Sequence, residues 1–172
     1  MSEYHTAIHK EMLKLAKLDT SYFMGQQCGA FDFYGLLKDI SQDKRLELGV
    51  QEEMQLSMSI GLAIKGYFPI SIFQRMDFLP RACDSLVNHL DLMSRLSRNK
   101  YIPKMIIFTT VGSTKPLDVG LQHNKNLILG FNCLLSNIRV HDMKTVQDVE
   151  DCFYIARTIA ESSILVARQD LF

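Results

Sequence analysis

The chain has 172 residues, which is enough to bury a hydrophobic core in one domain without help from disulfides. Its 19 Lys and Arg balance its 19 Asp and Glu, so no basic excess points to a nucleic acid and no acidic tail is present. No apolar run is long enough to span a bilayer, and the polar start MSEYHTAIHKEM lacks the order of a signal peptide. We therefore expect one globular domain, 1–172, in the cytoplasm.

The pattern of apolar residues predicts alternating helices and strands. In chain order these are a helix at 6–19, a strand at 22–24, a helix at 54–64, a strand at 67–73, a helix at about 79–96, a strand at 104–112, a strand at 137–140, a helix at about 146–160 and a strand at 163–168. The segment 54–64 also alternates as a half-buried strand does, but its length favours a helix ending at Gly66. Because the strands are nearly all apolar, we predict a three-layer α/β fold with a mainly parallel sheet covered on both faces.

The four cysteines are widely spaced and form neither a CxxC motif nor a Cys/His cluster; they are Cys28, Cys83, Cys133 and Cys152. This spacing predicts reduced, mostly buried thiols and neither a metal site nor a disulfide framework.

Two adjacent carboxylates, Glu52 and Glu53, stand at the start of the apolar helix 54–64. One interpretation is that both are solvated first-turn residues favoured by the helix dipole. The other is that one of them points inward as a buried acid or base, because charged side chains are rarely buried unless they are paired or used.

Polar residues also follow two of the predicted strands. In 73-FQRMDFLP-80, Phe73 and Phe78 bracket polar side chains, and aromatic rings at such a place serve as core, as a ligand platform or as both. His123 follows the loop 112–120, where a lone histidine is either a surface residue or a ligand contact. That loop matches neither the P-loop nor the dinucleotide fingerprint, so phosphate binding by this chain is not expected.

The order of these pieces resembles the pyrimidine-binding domain of thiamine diphosphate enzymes. The pieces are 49-GVQE-52, 66-GYFPISIFQRMDF-78, 84-DSLVNHLDLMSR-95, 106-IIFTTVG-112 and 122-QH-123. The chain is most similar to the beta subunits of 2-oxo acid dehydrogenase decarboxylase components, and more distantly to the C-terminal half of transketolase. The resemblance covers nearly the whole chain and implies the thiamine diphosphate-binding, flavodoxin-like fold.

The resemblance also implies roles for four residues. Glu52 falls on the family's glutamate, which hydrogen-bonds N1′ of the cofactor's aminopyrimidine ring and so activates the cofactor. Phe78 falls where the family stacks an aromatic ring on that pyrimidine, and Gln74 on the polar residue of the same pattern. His123 matches a histidine that faces the substrate. Glu53 keeps the solvated interpretation.

The chain also departs from the family pattern. Arg75 and Met76 replace residues that are usually aromatic or small, and Asn124 and Lys125 alter the loop after His123. The sequence contains no Gly-Asp-Gly…Asn motif, with which the family holds the diphosphate through Mg²⁺, and it lacks the third domain of ordinary beta subunits and of transketolase.

These observations predict the pyrimidine-binding subunit of a split thiamine diphosphate enzyme, acting on a 2-oxo acid or a ketose with a diphosphate-binding partner. Self-association as a dimer or tetramer is also expected. One alternative is a catalytically silent relative that serves as a scaffold or regulatory partner. Another is an unrelated flavodoxin-like binding domain, because one fold hosts many functions.

Overall fold

The computed structural model describes residues 1–114 and 118–172, and these residues form a six-stranded, wholly parallel sheet. The strands are β1 Ser21–Gly25, β2 Arg45–Glu47, β3 Phe68–Phe73, β4 Ile106–Val111, β5 Arg139–Met143 and β6 Ser163–Arg168. Across the sheet their order is β2-β1-β3-β4-β6-β5. Part of the loop 112–120, residues 115–117, lies outside the described residues.

Helices cover both faces of the sheet. They are α1 Glu3–Ala16, α2 Glu52–Ile64, α3 Met93–Leu96, α4 Ile128–Leu134 and α5 Val146–Thr158. Alternate residues of β4 point to opposite sides, so Ile106 and Phe108 join a core with α1 and α5, while Ile107 joins a core with α2. The predicted three-layer α/β fold is confirmed.

The single helix predicted at about 79–96 is wrong. The chain forms a 3-10 helix at Met76–Ala82, a π-helical segment at Asp84–Leu90 and the short α3. Pro80 lies inside the 3-10 helix, where it has no N–H to donate and its ring obstructs a regular α-helical turn. Farther on, the Asp91 carboxylate accepts backbone N–H groups of residues 136–138, which ties this region to the segment before β5.

Two elements were not predicted, and one strand was predicted too early. The missed β2 has only three residues at the edge of the sheet, where pairing with β1 holds it. The missed α4 is a short helix with Gly130 in its middle. The strand predicted at 137–140 begins at Arg139 and continues to Met143.

The carboxyl ends of all six strands lie at one edge of the sheet, called here the carboxyl edge, because all the strands are parallel. From β1 the chain moves outward to β2, whereas from β3 it continues to β4 on the other side. This makes the boundary between β1 and β3 a topological switch point, where open α/β sheets bind ligands. Gly25 ends β1 there with φ +145°, and a Cβ atom would lie 2.2 Å from the Ile72 carbonyl oxygen, so the close approach requires glycine.

The first and last described residues also meet at the carboxyl edge. The Ser2 hydroxyl donates a hydrogen bond to the Leu171 carbonyl oxygen at 2.5 Å. The ring of Phe172 packs against Tyr4 and His5, with centroid distances of 6.2 and 5.4 Å. The N-terminus of α1 is therefore fixed beside the residues that follow β6.

The prediction of mostly buried thiols is only partly correct. The four cysteines are free: Cys28 is buried, Cys83 and Cys152 are half-buried, and Cys133 is exposed on α4. Burial raises the pKa of the Cys28 thiol far above its usual range.

Candidate functional site at the carboxyl edge

The four residues predicted for the site all lie near the carboxyl edge. Glu52 is the first residue of α2, which follows β2, and Gln74 and Phe78 follow β3. His123 lies in the loop after β4. The structure brings Phe78 and His123 into direct contact and links Glu52 to the 3-10 helix that carries Phe78.

Glu52 is almost completely buried, with 3% of its surface exposed. Its Oε2 accepts a hydrogen bond from Nε of Arg81 at 3.1 Å, and the same two side chains form an ion pair. A buried carboxylate needs such a compensating charge, because moving an unpaired negative charge out of water destabilises the folded state. Among the described residues, no hydrogen bond reaches the second oxygen, Oε1.

Glu53 has a different environment from its neighbour. Its Oε1 accepts hydrogen bonds from the backbone N–H of Ser85, at 3.0 Å, and from the Ser85 hydroxyl. Glu53 lies in the first turn of α2, as expected, but its side chain is half-buried and not fully solvated. Glu53 joins α2 to the start of the π-helical segment, which is a structural role.

Phe78 and His123 form an aromatic pair across two loops. Their ring centroids lie 5.6 Å apart with the planes at 77°, an edge-to-face arrangement, and both side chains are half-buried. A ring face and an imidazole therefore stand together beside the end of β3. The family resemblance implied a role in the site for both residues but did not predict their contact.

Gln74 is the first residue after β3. Its backbone carbonyl accepts a hydrogen bond from the Thr110 hydroxyl at 2.6 Å, which joins the ends of β3 and β4. Its half-buried side-chain amide makes no hydrogen bond to the described residues. The amide is thus available to a ligand.

Arg75 organises the loops of this edge, although the sequence marked it only as a departure from the family. Its Nη1 donates to the Gly112 carbonyl oxygen at 2.5 Å, to the His123 carbonyl oxygen at 3.2 Å and to Oε1 of Gln169 at 2.6 Å. One guanidinium group therefore joins the chain segments that follow β3, β4 and β6. No local sequence pattern indicates contacts across such separations.

Asp77 provides a second link to the same loop. Its Oδ1 accepts a hydrogen bond from the backbone N–H of Lys125 at 3.2 Å. The other oxygen, Oδ2, is buried and has no hydrogen-bond partner among the described residues. The segment after β3 thus contacts the loop around His123 at three points: through Arg75, Asp77 and Phe78.

The described residues contain neither a membrane-spanning helix nor a metal-binding cluster. No helix there combines the length and apolar composition needed to cross a membrane. Within 1–114 and 118–172, no three His, Cys, Asp or Glu side chains are grouped in a way that could hold a metal ion.

The six-stranded parallel sheet with helices on both faces defines a three-layer α/β protein. Among solved structures, the chain is similar to a split-gene transketolase described as an inactive β4 tetramer, with a TM-score of 0.68 and 14% identity. The similarity covers 96% of this chain and 49% of that one, so the chain spans about half the length of that structure. No family model and no curated protein sequence matches. At this identity the similarity establishes the fold, and the roles of individual residues must be argued from their chemistry.

Proposed function

We propose that the chain is the pyrimidine-binding subunit of a split thiamine diphosphate enzyme of the cytoplasm. The observation that carries this proposal is Glu52, a buried carboxylate on the first turn of α2 with one oxygen, Oε1, not bonded to any described residue. It stands beside the 3-10 helix of Phe78 at the carboxyl edge, where open α/β sheets bind their ligands.

The residues present fit an aminopyrimidine ring. Glu52 offers a carboxylate oxygen to a ring nitrogen, Phe78 offers a half-buried aromatic face, and Gln74 offers an amide without a described partner. When bound, thiamine diphosphate supplies a carbon nucleophile for 2-oxo acid or ketose chemistry. Glu52 holds or releases a proton at the ring nitrogen, and His123 donates or accepts a proton on the substrate side.

The proposal assigns the diphosphate and its Mg²⁺ to a partner subunit. The sequence has no Gly-Asp-Gly…Asn motif, with which the family that it resembles holds the diphosphate. Enzymatic activity, as a decarboxylase or as a transketolase, is therefore proposed for the assembled pair. The substrate on which the pair acts is a 2-oxo acid or a ketose.

The first test is capture of the partner. The tagged chain is used to recover associated proteins from the lysate of its native host, and their sequences are read for Gly-Asp-Gly…Asn. Recovery of such a protein supports the proposal, whereas recovery of self-associated chain alone counts against it.

The second test uses neighbouring carboxylates as a matched pair. In the reconstituted assembly, Glu52→Gln should abolish turnover, because an amide cannot exchange a proton with the ring nitrogen. Glu53→Gln should keep most of it, because the Gln amide oxygen still accepts from Ser85. Full activity of the Glu52→Gln assembly would contradict the mechanism.

A silent scaffold or regulatory partner is the alternative, and Arg75 is the observation that favours it. Its guanidinium takes the place of an aromatic or small residue of the family and ties the surrounding loops together. Titration calorimetry of the chain with its partner, with and without thiamine diphosphate, separates the two functions. A catalytic subunit binds its partner more tightly with the cofactor, and a silent one does not.

A further inference from the structure

Arg81 covers Glu52 from the solvent side. The Arg81 side chain is 73% exposed, while that of Glu52 is 3% exposed, and one hydrogen bond of 3.1 Å joins Nε to Oε2. Among the described residues this is the one hydrogen bond that the guanidinium makes. A cation held by one contact at a solvent-exposed position is easily displaced, because water readily replaces the interaction.

The cover lies on the same side of its helix as Phe78. Both residues belong to the 3-10 helix Met76–Ala82 and are three positions apart. In a 3-10 helix, side chains at this spacing lie one above the other. Phe78 and Arg81 therefore project from the same side of the 3-10 helix, and from there Arg81 reaches the carboxylate of Glu52.

We infer that Arg81 is a displaceable cover that competes with an aminopyrimidine ring for the carboxylate of Glu52. A ring that reaches Glu52 becomes a second partner of a carboxylate that Arg81 already binds through Oε2, so the two partners compete for one negative charge. In the free chain Arg81 compensates the buried negative charge, and the incoming ring takes over that role. The identity of the ring rests on the proposed function, whereas the competition rests on the contact between Arg81 and Glu52.

The adjacent glutamate, Glu53, makes a permanent contact with the rest of the fold. The half-buried Glu53 accepts hydrogen bonds from both the backbone N–H and the hydroxyl of Ser85, which is buried. Glu52, by contrast, is paired with one exposed side chain, that of Arg81. Of the two neighbouring carboxylates, Glu53 is therefore fixed by the fold, whereas Glu52 remains available to a ligand that displaces Arg81.

The binding test uses the isolated chain and the hydroxymethyl aminopyrimidine that forms one half of thiamine. Arg81→Met keeps an apolar stem but removes the donors and the charge, and Arg95→Met removes an exposed arginine with no described hydrogen bond. In an NMR titration, Arg81→Met should bind the pyrimidine at least about fivefold more tightly than the wild type, which corresponds to about 1 kcal/mol. Arg95→Met should match the wild type.

Equal affinity of the wild type and Arg81→Met overturns the inference, and so does the absence of binding to both. Arg81→Gln serves if Arg81→Met does not fold, since it removes the charge and keeps a donor. A second readout needs no ligand: Arg81→Met should raise the equilibrium constant for unfolding severalfold in the wild-type background but not in Glu52→Gln. Equal effects in both backgrounds contradict the pairing.

The unfolding readout is independent of the proposed function, whereas the NMR titration shares its premise that an aminopyrimidine binds. Activity of a reconstituted Glu52→Gln assembly reports on the catalytic role of the carboxylate. Where the pyrimidine binds, the ratio of its affinities reports on Arg81 alone, so either idea can fail while the other stands.

Discussion

The rings of Phe78 and His123 meet edge to face, with centroids 5.6 Å apart, and so connect the segment after β3 to the loop after β4. An aromatic pair of this kind contributes about 0.5–1.5 kcal/mol beyond simple burial. The contact orients an imidazole beside a ring face that the proposed function assigns to the cofactor. Both side chains are half-buried, so the pair lies at the surface where a partner and a ligand can reach it.

Replacing Phe78 by Leu should weaken cofactor binding by the assembled enzyme. The aliphatic side chain fills space but has no ring face for stacking, so the dissociation constant for thiamine diphosphate should rise about two- to tenfold. Phe78→Tyr keeps the ring and should stay near the wild-type value. A cofactor titration of the two assemblies decides the matter, and equal affinities for Leu and Phe would remove Phe78 from the binding site.

Replacing Arg75 by Met should loosen the loop that carries His123. The substitution removes three hydrogen bonds from a charged donor, and we expect a loss of about 1–3 kcal/mol in the free energy of unfolding. Hydrogen exchange of the amides in 120–126 should quicken more than exchange in α5, which Arg75 does not touch. Unchanged exchange in 120–126 would show that Asp77 and Phe78 hold the loop without Arg75.

Stability should fall on mild acidification because of His141. Burial, assisted by the nearby charge of Arg139, lowers the pKa of His141, and its Nε2 is buried without a described partner. The unfolded chain therefore takes up a proton near the ordinary histidine pKa of about 6.5, while the folded chain resists it. The free energy of unfolding should be highest above about pH 6.5 and should decrease below it.

Urea unfolding at about pH 7.5, 6.5 and 5.5 measures this slope. Exchange of His141 for Gln, which does not titrate, should flatten the curve over that range. An identical slope in the variant would assign the effect to other groups.

Thiol labelling should proceed in the order of exposure. Cys133 is exposed and should react first with a thiol reagent, whereas the buried Cys28 should react only after unfolding. Cys152 should be slow, because burial and the nearby carboxylates raise its pKa to about 11. Cys133→Ser should abolish the fast phase, and a fast phase that survives would show that a thiol buried or half-buried in this structure opens in solution.

The fold was predictable where the chain repeats a simple pattern. The apolar runs that became β3, β4 and β6 carry enough hydrophobic residues to require burial on both faces, and the spacing of 6–19 fits α1. The three-residue β2 carries no such pattern, since pairing with β1 maintains it. The break in the helix predicted at 79–96 depends on Pro80 and on the contacts of Asp91 with residues far along the chain.

The location of the candidate site residues at one edge of the sheet was predictable from the sequence, but their contacts were not. Glu52, Gln74, Phe78 and His123 all lie near the carboxyl edge, as expected for residues that follow strands of one parallel sheet. Their chemical roles stay predictions. The contacts of Arg75 and Arg81 depend on the distances between distant loops, which local sequence does not encode.

The meeting of Ser2 with Leu171 determines where a label can be attached. A reporter or affinity tag fused at Met1 or Phe172 is placed beside the carboxyl edge, where it would hinder docking of a second protein. The turn around Arg98 and Asn99 precedes β4 and so lies at the opposite edge of the sheet, with both side chains exposed. A short peptide tag inserted in that turn leaves the carboxyl edge unobstructed for the proposed partner, and capture experiments should use the chain labelled in this way.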